Sequence, residues 1–133
     1  MDLKSVSGFT LYVKDPGKSA DFYESLGFKI EKRQTSHVLV RVNWLTIDLV
    51  DQRNEKKEEF QKEANAEPKG SGIFINVSVG DVDEFYRMVV DKGLKPSSEP
   101  RDWPWGTREF VIRDPDGYKL VMFKRGKPRS PAE

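Results

Sequence analysis

The stretch Leu11-Tyr12-Val13-Lys14-Asp15, continued by Phe22-Tyr23 and Leu26-Gly27-Phe28, decides how this chain folds. Phe9, Leu11 and Val13 alternate with Gly8, Thr10 and Tyr12, the period of a strand with one buried face. Asp15 then supplies a helix N-cap, and Pro16 suits a first helical position, where its missing N–H costs nothing. Ala20, Phe22, Tyr23 and Leu26 recur at helical spacing until Gly27, which can adopt the left-handed conformation that ends a helix.

Three more strands follow. Phe28 to Lys32 is the first. His37 to Asn43 sets Val38, Val40 and Val42 against His37, Leu39, Arg41 and Asn43. Trp44 to Asp51 sets Leu45, Ile47 and Leu49 against Trp44, Thr46, Asp48 and Val50. Strand, helix and three strands make one half.

The grammar returns 66 residues later, with Val13, Asp15 and Gly27 recurring as Val79, Asp81 and Gly93. Ile73, Ile75, Val77 and Val79 oppose Phe74, Asn76 and Ser78. Asp81 caps a helix that carries Val82, Phe85, Tyr86, Val89 and Val90. A loop through Pro96, Pro100 and Pro104 leads to strands at Arg108 to Arg113 and Tyr118 to Lys124, joined by the turn Asp114-Pro115-Asp116-Gly117. A repeat of this length reads as two copies of one supersecondary unit. Within a single domain spanning 1–133, the expected boundaries are 6–51 for the first module, 52–70 for a Glu- and Lys-rich connector, 71–125 for the second module and 126–133 for a flexible tail.

Composition narrows the function. Eight Phe, four Tyr and three Trp supply the large apolar surface that a folded core needs, so disorder is not expected. With 23 basic and 22 acidic residues the net charge is +1, which gives no electrostatic reason to expect nucleic acid or an anionic membrane as partner. The basic run Lys124 to Arg129 contains Gly126 and Pro128 and reads as a frayed terminus. Without cysteine the chain can form no disulfide, thiolate zinc site or cysteine nucleophile, in keeping with a reducing compartment. No apolar run approaches the ~20 residues of a membrane span, and Met1 to Ser5 lacks a signal-peptide core, so a cytoplasmic protein is expected.

The opening run resembles that of a glyoxalase or bleomycin-resistance module, and so does the close, Pro104-Trp105-Gly106-Thr107-Arg108-Glu109-Phe110 with Arg113-Asp114-Pro115-Asp116-Gly117. The chain is thereby similar to the vicinal oxygen chelate superfamily, which also includes the extradiol dioxygenases. The resemblance implies an α+β fold of two tandem βαβββ modules, with sheets curled around a shared cavity and helices outside. Family members of this size often pair as homodimers, and a homodimer is expected here.

In metal-dependent relatives, His, Gln or Glu side chains on the inner sheet face hold a divalent ion. Carried over by motif, three of the four ligand positions fall on Gly8, Phe74 and Val121, and the fourth on Asp48. Glycine, phenylalanine and valine offer no lone pair, and catalytic metal sites need about three protein ligands. The resemblance therefore implies a metal-free branch with no cofactor. A rearranged site built on His37, the sole histidine, and Asp48 is the metal-binding alternative.

The same parity assigns a mixed aromatic and polar lining, suited to a small-molecule ligand. Its candidates are Thr10, Tyr12, His37, Arg41, Trp44, Asp48, Phe74 and Asn76. Alternatives stay open: Thr10, Thr46 and Ser78 also suit a solvated sheet face. Asp48 and Arg41 read either as a structural ion pair or as a ligand clamp, and His37 as a surface residue or a base. Trp103 and Trp105 read as a cavity lid, a subunit contact or loop plugs. Arg108 and Glu109 are candidates for reading a charged ligand group, their facing undecided. The leading expectation is metal-independent sequestration of a small aromatic or amphipathic molecule. A divergent metal-dependent lyase or isomerase of the glyoxalase type is the alternative, and a protein interaction module is the second.

Overall fold

A computed structural model describes residues 1–126. The expected tail at 126–133 lies outside these from residue 127 onward. The chain divides into two compact units, one from Met1 to Pro68 and one from Lys69 onward.

The first unit holds β1 (Gly8–Val13), α1 (Pro16–Ser25), β2 (Lys29–Arg33), β3 (His37–Val42) and β4 (Leu45–Asp51). Its sheet runs β1-β4-β3-β2, with β1 parallel to β4 and the other pairs antiparallel. Register places Leu11 opposite Leu49 and Leu49 opposite Val38, and likewise Ile47 opposite Val40, so the apolar residues share one face. That face is buried beneath α1, where Tyr23 meets Phe22 and Phe28 edge-on at 5.2 and 5.1 Å. Each such aliphatic or aromatic side chain contributes roughly 1.5–3 kcal/mol when fully buried.

The connector forms a 3-10 turn (Gln52–Asn54) and the short helix α2 (Glu58–Ala64), with Glu58 and Glu59 in its first turn and Lys62 in its last, the polarity that a helix dipole favours.

The second unit repeats the plan with β5 (Phe74–Ser78), α3 (Val82–Asp91), β6 (Arg101–Asp102), β7 (Thr107–Arg113) and β8 (Lys119–Arg125). Its sheet runs β5-β8-β7-β6, with β5 parallel to β8. Phe110, Ile112, Leu120 and Met122 are buried beneath α3, whose Phe85 and Tyr86 pack on Phe110. The mixed α+β architecture of two four-stranded sheets is the expected one.

The repeat is exact down to the hydrogen bonds at the helix ends. Asp15 accepts from the Lys18 amide and Asp81 from the Glu84 amide, each three residues on. Gly27 and Gly93 have φ of 106° and 82°. The amides that follow them, Phe28 and Leu94, each donate five residues back, to Tyr23 and Val89. This is the Schellman closure, which satisfies carbonyls that the helix leaves open.

Two expectations need correction. Strand β6, which completes the second module, lies inside the stretch expected to be loop. It has only two residues and no alternation to betray it, and it exists through pairing of Arg101 with Glu109 and Asp102 with Arg108. Asn43 and Trp44, expected in strands, form the turn between β3 and β4, with Asn43 at φ 52°. Asparagine tolerates that left-handed conformation better than most residues.

Candidate functional site

The polar residues of the first sheet share the face opposite α1, in three rows set by register: Gly8, Thr46 and Arg41; Thr10, Asp48 and Leu39; Tyr12, Val50 and His37. Asp48 Oδ1 lies 2.8 Å from His37 Nδ1, and Gln34 Oε1 lies 2.9 Å from the other ring nitrogen. The imidazole is thus fixed at both ends.

Arg41 does not pair with Asp48. An irregularity between Ile30 and Lys32 leaves Glu31 without a partner opposite it on β3. Its carboxylate accepts from Arg41 Nε at 3.0 Å, while Nη1 donates to the Asn43 carbonyl at 2.7 Å. Of the two readings of Asp48 and Arg41, the ion pair is therefore not formed: Arg41 pairs with Glu31 of β2 and Asp48 with His37.

Tyr12 donates its hydroxyl to Glu55, from the connector. That bond, with burial and the Glu55 and Glu63 charges behind it, pushes the phenol up to about 12, and the same bond holds the Glu55 carboxyl below its ordinary range. Thr10 is exposed on this face, and Trp44 stands 73% exposed on its turn, apart from the three rows.

Gly8 occupies the first of the four positions at which the resemblance marks metal ligands. A Cβ built there would lie 2.0 Å from the backbone oxygen of Thr46 and 2.7 Å from its hydroxyl. Because the nearer atom is main chain, no side-chain rotation relieves the contact. Position 8 is closed to any ligand side chain unless β1 and β4 move apart.

On the second sheet the corresponding rows are Phe74, Lys119 and Arg113; Asn76, Val121 and Val111; Ser78, Phe123 and Glu109. Phe74 is 56% exposed, with Lys119 Nζ 4.8 Å from its ring centroid. Asn76 is exposed beside Val121, which is buried. Glu109 accepts from the Thr107 hydroxyl at 3.0 Å.

Arg108 goes to the other face. It donates Nε and Nη2 to Asp83 at 2.9 and 2.8 Å and reaches Asp102 with Nη1 at 3.2 Å. These hydrogen bonds raise the guanidinium above its ordinary range and hold the Asp83 carboxyl below its own. Arg108 ties β7 to the first turn of α3 and to β6, and the structure does not bring it together with Phe74 and Asn76. A hollow of about 420 Å³ beside it is lined by Asp83, Asp102, Trp103 and Lys124.

Trp103 and Trp105 stack at 4.8 Å with 10° between their planes, and the Arg101 guanidinium lies 4.0 Å from the Trp103 centroid. The turn that holds them closes through the Gly106 amide donating to the Trp103 carbonyl at 3.0 Å, leaving Trp105 65% exposed.

The residues at the four marked positions do not fit a catalytic metal ion. One position is sterically closed, Phe74 and Val121 have no lone pair to give, and Asp48 is engaged by His37. Among the described residues no three His, Cys, Asp or Glu side chains converge as a metal site would require. Glu31, Gln34 and Glu55 were not among the sequence candidates, and nothing in their spacing points to the groups they meet.

Comparison with known proteins gives a consistent result. The chain is 28% identical to a bleomycin resistance protein of Geobacillus stearothermophilus, over 88% of its own length and 94% of that protein's. A glyoxalase/bleomycin resistance protein/dioxygenase from Nocardioides superposes with a TM-score of 0.81 at 20% identity, covering 100% of this chain and 91% of the other. TnmS3, an antibiotic binding protein from Streptomyces sp. CB03234, superposes at 0.73 with 25% identity, covering 95% and 99%. The family model for the Glyoxalase/Bleomycin resistance protein/Dioxygenase superfamily matches residues 5–122. With that match spanning both repeats, the chain belongs to the glyoxalase/bleomycin resistance protein/dioxygenase superfamily.

Proposed function

We propose that this protein binds a small aromatic or amphipathic molecule against a mixed aromatic and polar sheet face and holds it chemically unchanged, without a metal ion. The observation that carries the reading is the closure of position 8 by the Thr46 carbonyl. A side chain lost by drift leaves a space that another side chain can refill, whereas here main chain occupies the place. The names of two relatives, a bleomycin resistance protein and an antibiotic binding protein, support binding as the activity. In the first unit Thr10, His37 and Asp48 offer sparse polar groups to orient a guest; in the second, exposed Phe74 and the stacked Trp103 and Trp105 offer ring surface beside exposed Asn76. The exposed tryptophan loop also supports a homodimer.

The test is titration calorimetry with a panel of polycyclic aromatic compounds, followed by recovery of the compound. Saturable binding with quantitative return of the unchanged compound is expected. A turned-over product, or no heat from any compound, defeats the reading. Sedimentation equilibrium at micromolar concentration is expected to show a dimer, and monomer alone removes that part.

A second reading, a metal-dependent lyase or isomerase, draws on the contact between His37 and Asp48. It requires stoichiometric divalent metal in the purified protein, lost on His37→Ala. Elemental analysis without metal after growth in supplemented medium removes it.

A further inference from the structure

The row Phe74, Lys119, Arg113 contains a feature that fold alone does not require. Lys119 and Arg113 are directly opposite one another across the antiparallel β7–β8 pair. Like charges in that relation destabilise a sheet. The other such pair on these strands, Arg108 with Lys124, is compensated, because Arg108 is held by Asp83 and Asp102. Neither Lys119 nor Arg113 forms a salt bridge with a carboxylate among the described residues. Arg113 spends one N–H on the Gly117 carbonyl at 3.2 Å, and Lys119 rests its ammonium over the Phe74 ring.

We infer that this row is the anion-reading end of the binding face, and that the ligand is an aromatic acid whose ring lies along Phe74 and whose carboxylate bridges Lys119 and Arg113. The inference rests on the small-molecule reading above and adds the ligand's charge. An aromatic carboxylate matches the row part for part. Its ring meets an exposed ring, its oxygens accept charge-assisted hydrogen bonds from an ammonium and a guanidinium, and its charge relieves their mutual repulsion. A cationic guest would meet repulsion at the same place. The only carboxylate in the three rows of this sheet face, Glu109, lies two rows away, about 13 Å along β8 at ~3.3 Å per residue. The chain's net charge of +1 supplies no opposing field, so the local row decides.

Calorimetry of the full chain with three matched probes tests this: 2-naphthoate, 2-naphthalenemethanol and 2-naphthylmethylammonium at pH 7. Naphthoate is expected to bind at least about tenfold tighter than the alcohol, which is about 1.4 kcal/mol, and the ammonium compound more weakly than either. Lys119→Gln and Arg113→Gln are each expected to erase most of the preference for naphthoate over the alcohol, with far-UV circular dichroism and the urea midpoint showing that the variants are folded. Naphthoate binding no tighter than the alcohol, or a preference unchanged in both variants, overturns the anion assignment and leaves the binding reading standing. Failure of all three probes to bind overturns both.

Discussion

Replacing Gly8 with alanine puts the closure of position 8 to the test. The added methyl would start 2.0 Å from the Thr46 carbonyl oxygen, whereas ordinary contact begins near 3.4 Å, so β1 and β4 must separate by about 1.4 Å at that point. The separation strains the Thr46 amide bond to the Ser7 carbonyl, now 2.9 Å, and the pairing of the following row. Forcing a methyl into a packed site costs about 1–3 kcal/mol, and losing a backbone hydrogen bond about 0.5–1.5. Because Gly8 begins its strand and can give way outward, a destabilisation of about 1–3 kcal/mol is expected. Urea unfolding followed by circular dichroism reads it as a lower midpoint at unchanged slope. A Thr46→Gly change in the same background removes the hydroxyl but not the carbonyl, and is expected not to restore stability. An alanine variant within about 0.5 kcal/mol of the parent would refute the reasoning, since surface substitutions commonly fall in that range. A Gly8→His variant is likewise expected to acquire no stoichiometric metal.

Three further outcomes are expected. The Tyr12 phenol, raised to about 12 by Glu55, contributes stability that is whole below its ordinary pKa near 10 and is lost as pH climbs toward 12. Urea midpoints between pH 9 and 11 should therefore fall more steeply in the parent than in Tyr12→Phe, and parallel curves would contradict the bond. The buried Asp51 carboxyl is held below its ordinary range by its hydrogen bond to Arg53, so its contribution is present above about pH 4 and disappears as pH falls below it. Asp51→Asn should be less stable than the parent at pH 7, with the two acid-unfolding curves converging at low pH; a constant gap would argue against the pair. Trp105→Ala, at an exposed site, should change stability by less than about 0.5 kcal/mol yet weaken aromatic ligands several-fold in fluorescence titration. Unchanged affinity removes Trp105 from the site.

What the sequence disclosed was what neighbouring residues determine. The caps at Asp15 and Asp81 and the stops at Gly27 and Gly93 are written within a few residues of the backbone they satisfy, and each is realised at the bond level. Strand alternation likewise sorted Leu11, Val40 and Ile47 from Thr10, Arg41 and Asp48, because the side-chain period of a strand is fixed.

Partners set by tertiary contact were not legible. Arg41 left Asp48 for Glu31 because one unpaired residue in β2 shifted which carboxylate came near, and alternation cannot register a bulge. Tyr12 found Glu55 in the connector, 43 positions away. Strand β6 was too short to carry a pattern. The facing of Arg108 depended on where β7 begins, and one residue more or less reverses it.

Metal-free binding is tested most directly by calorimetry of one aromatic ligand against the full chain, first after exhaustive treatment with EDTA and then with added zinc, nickel or manganese. The same dissociation constant in every condition is predicted. Binding that vanishes on chelation and returns with one of the metals would contradict the account.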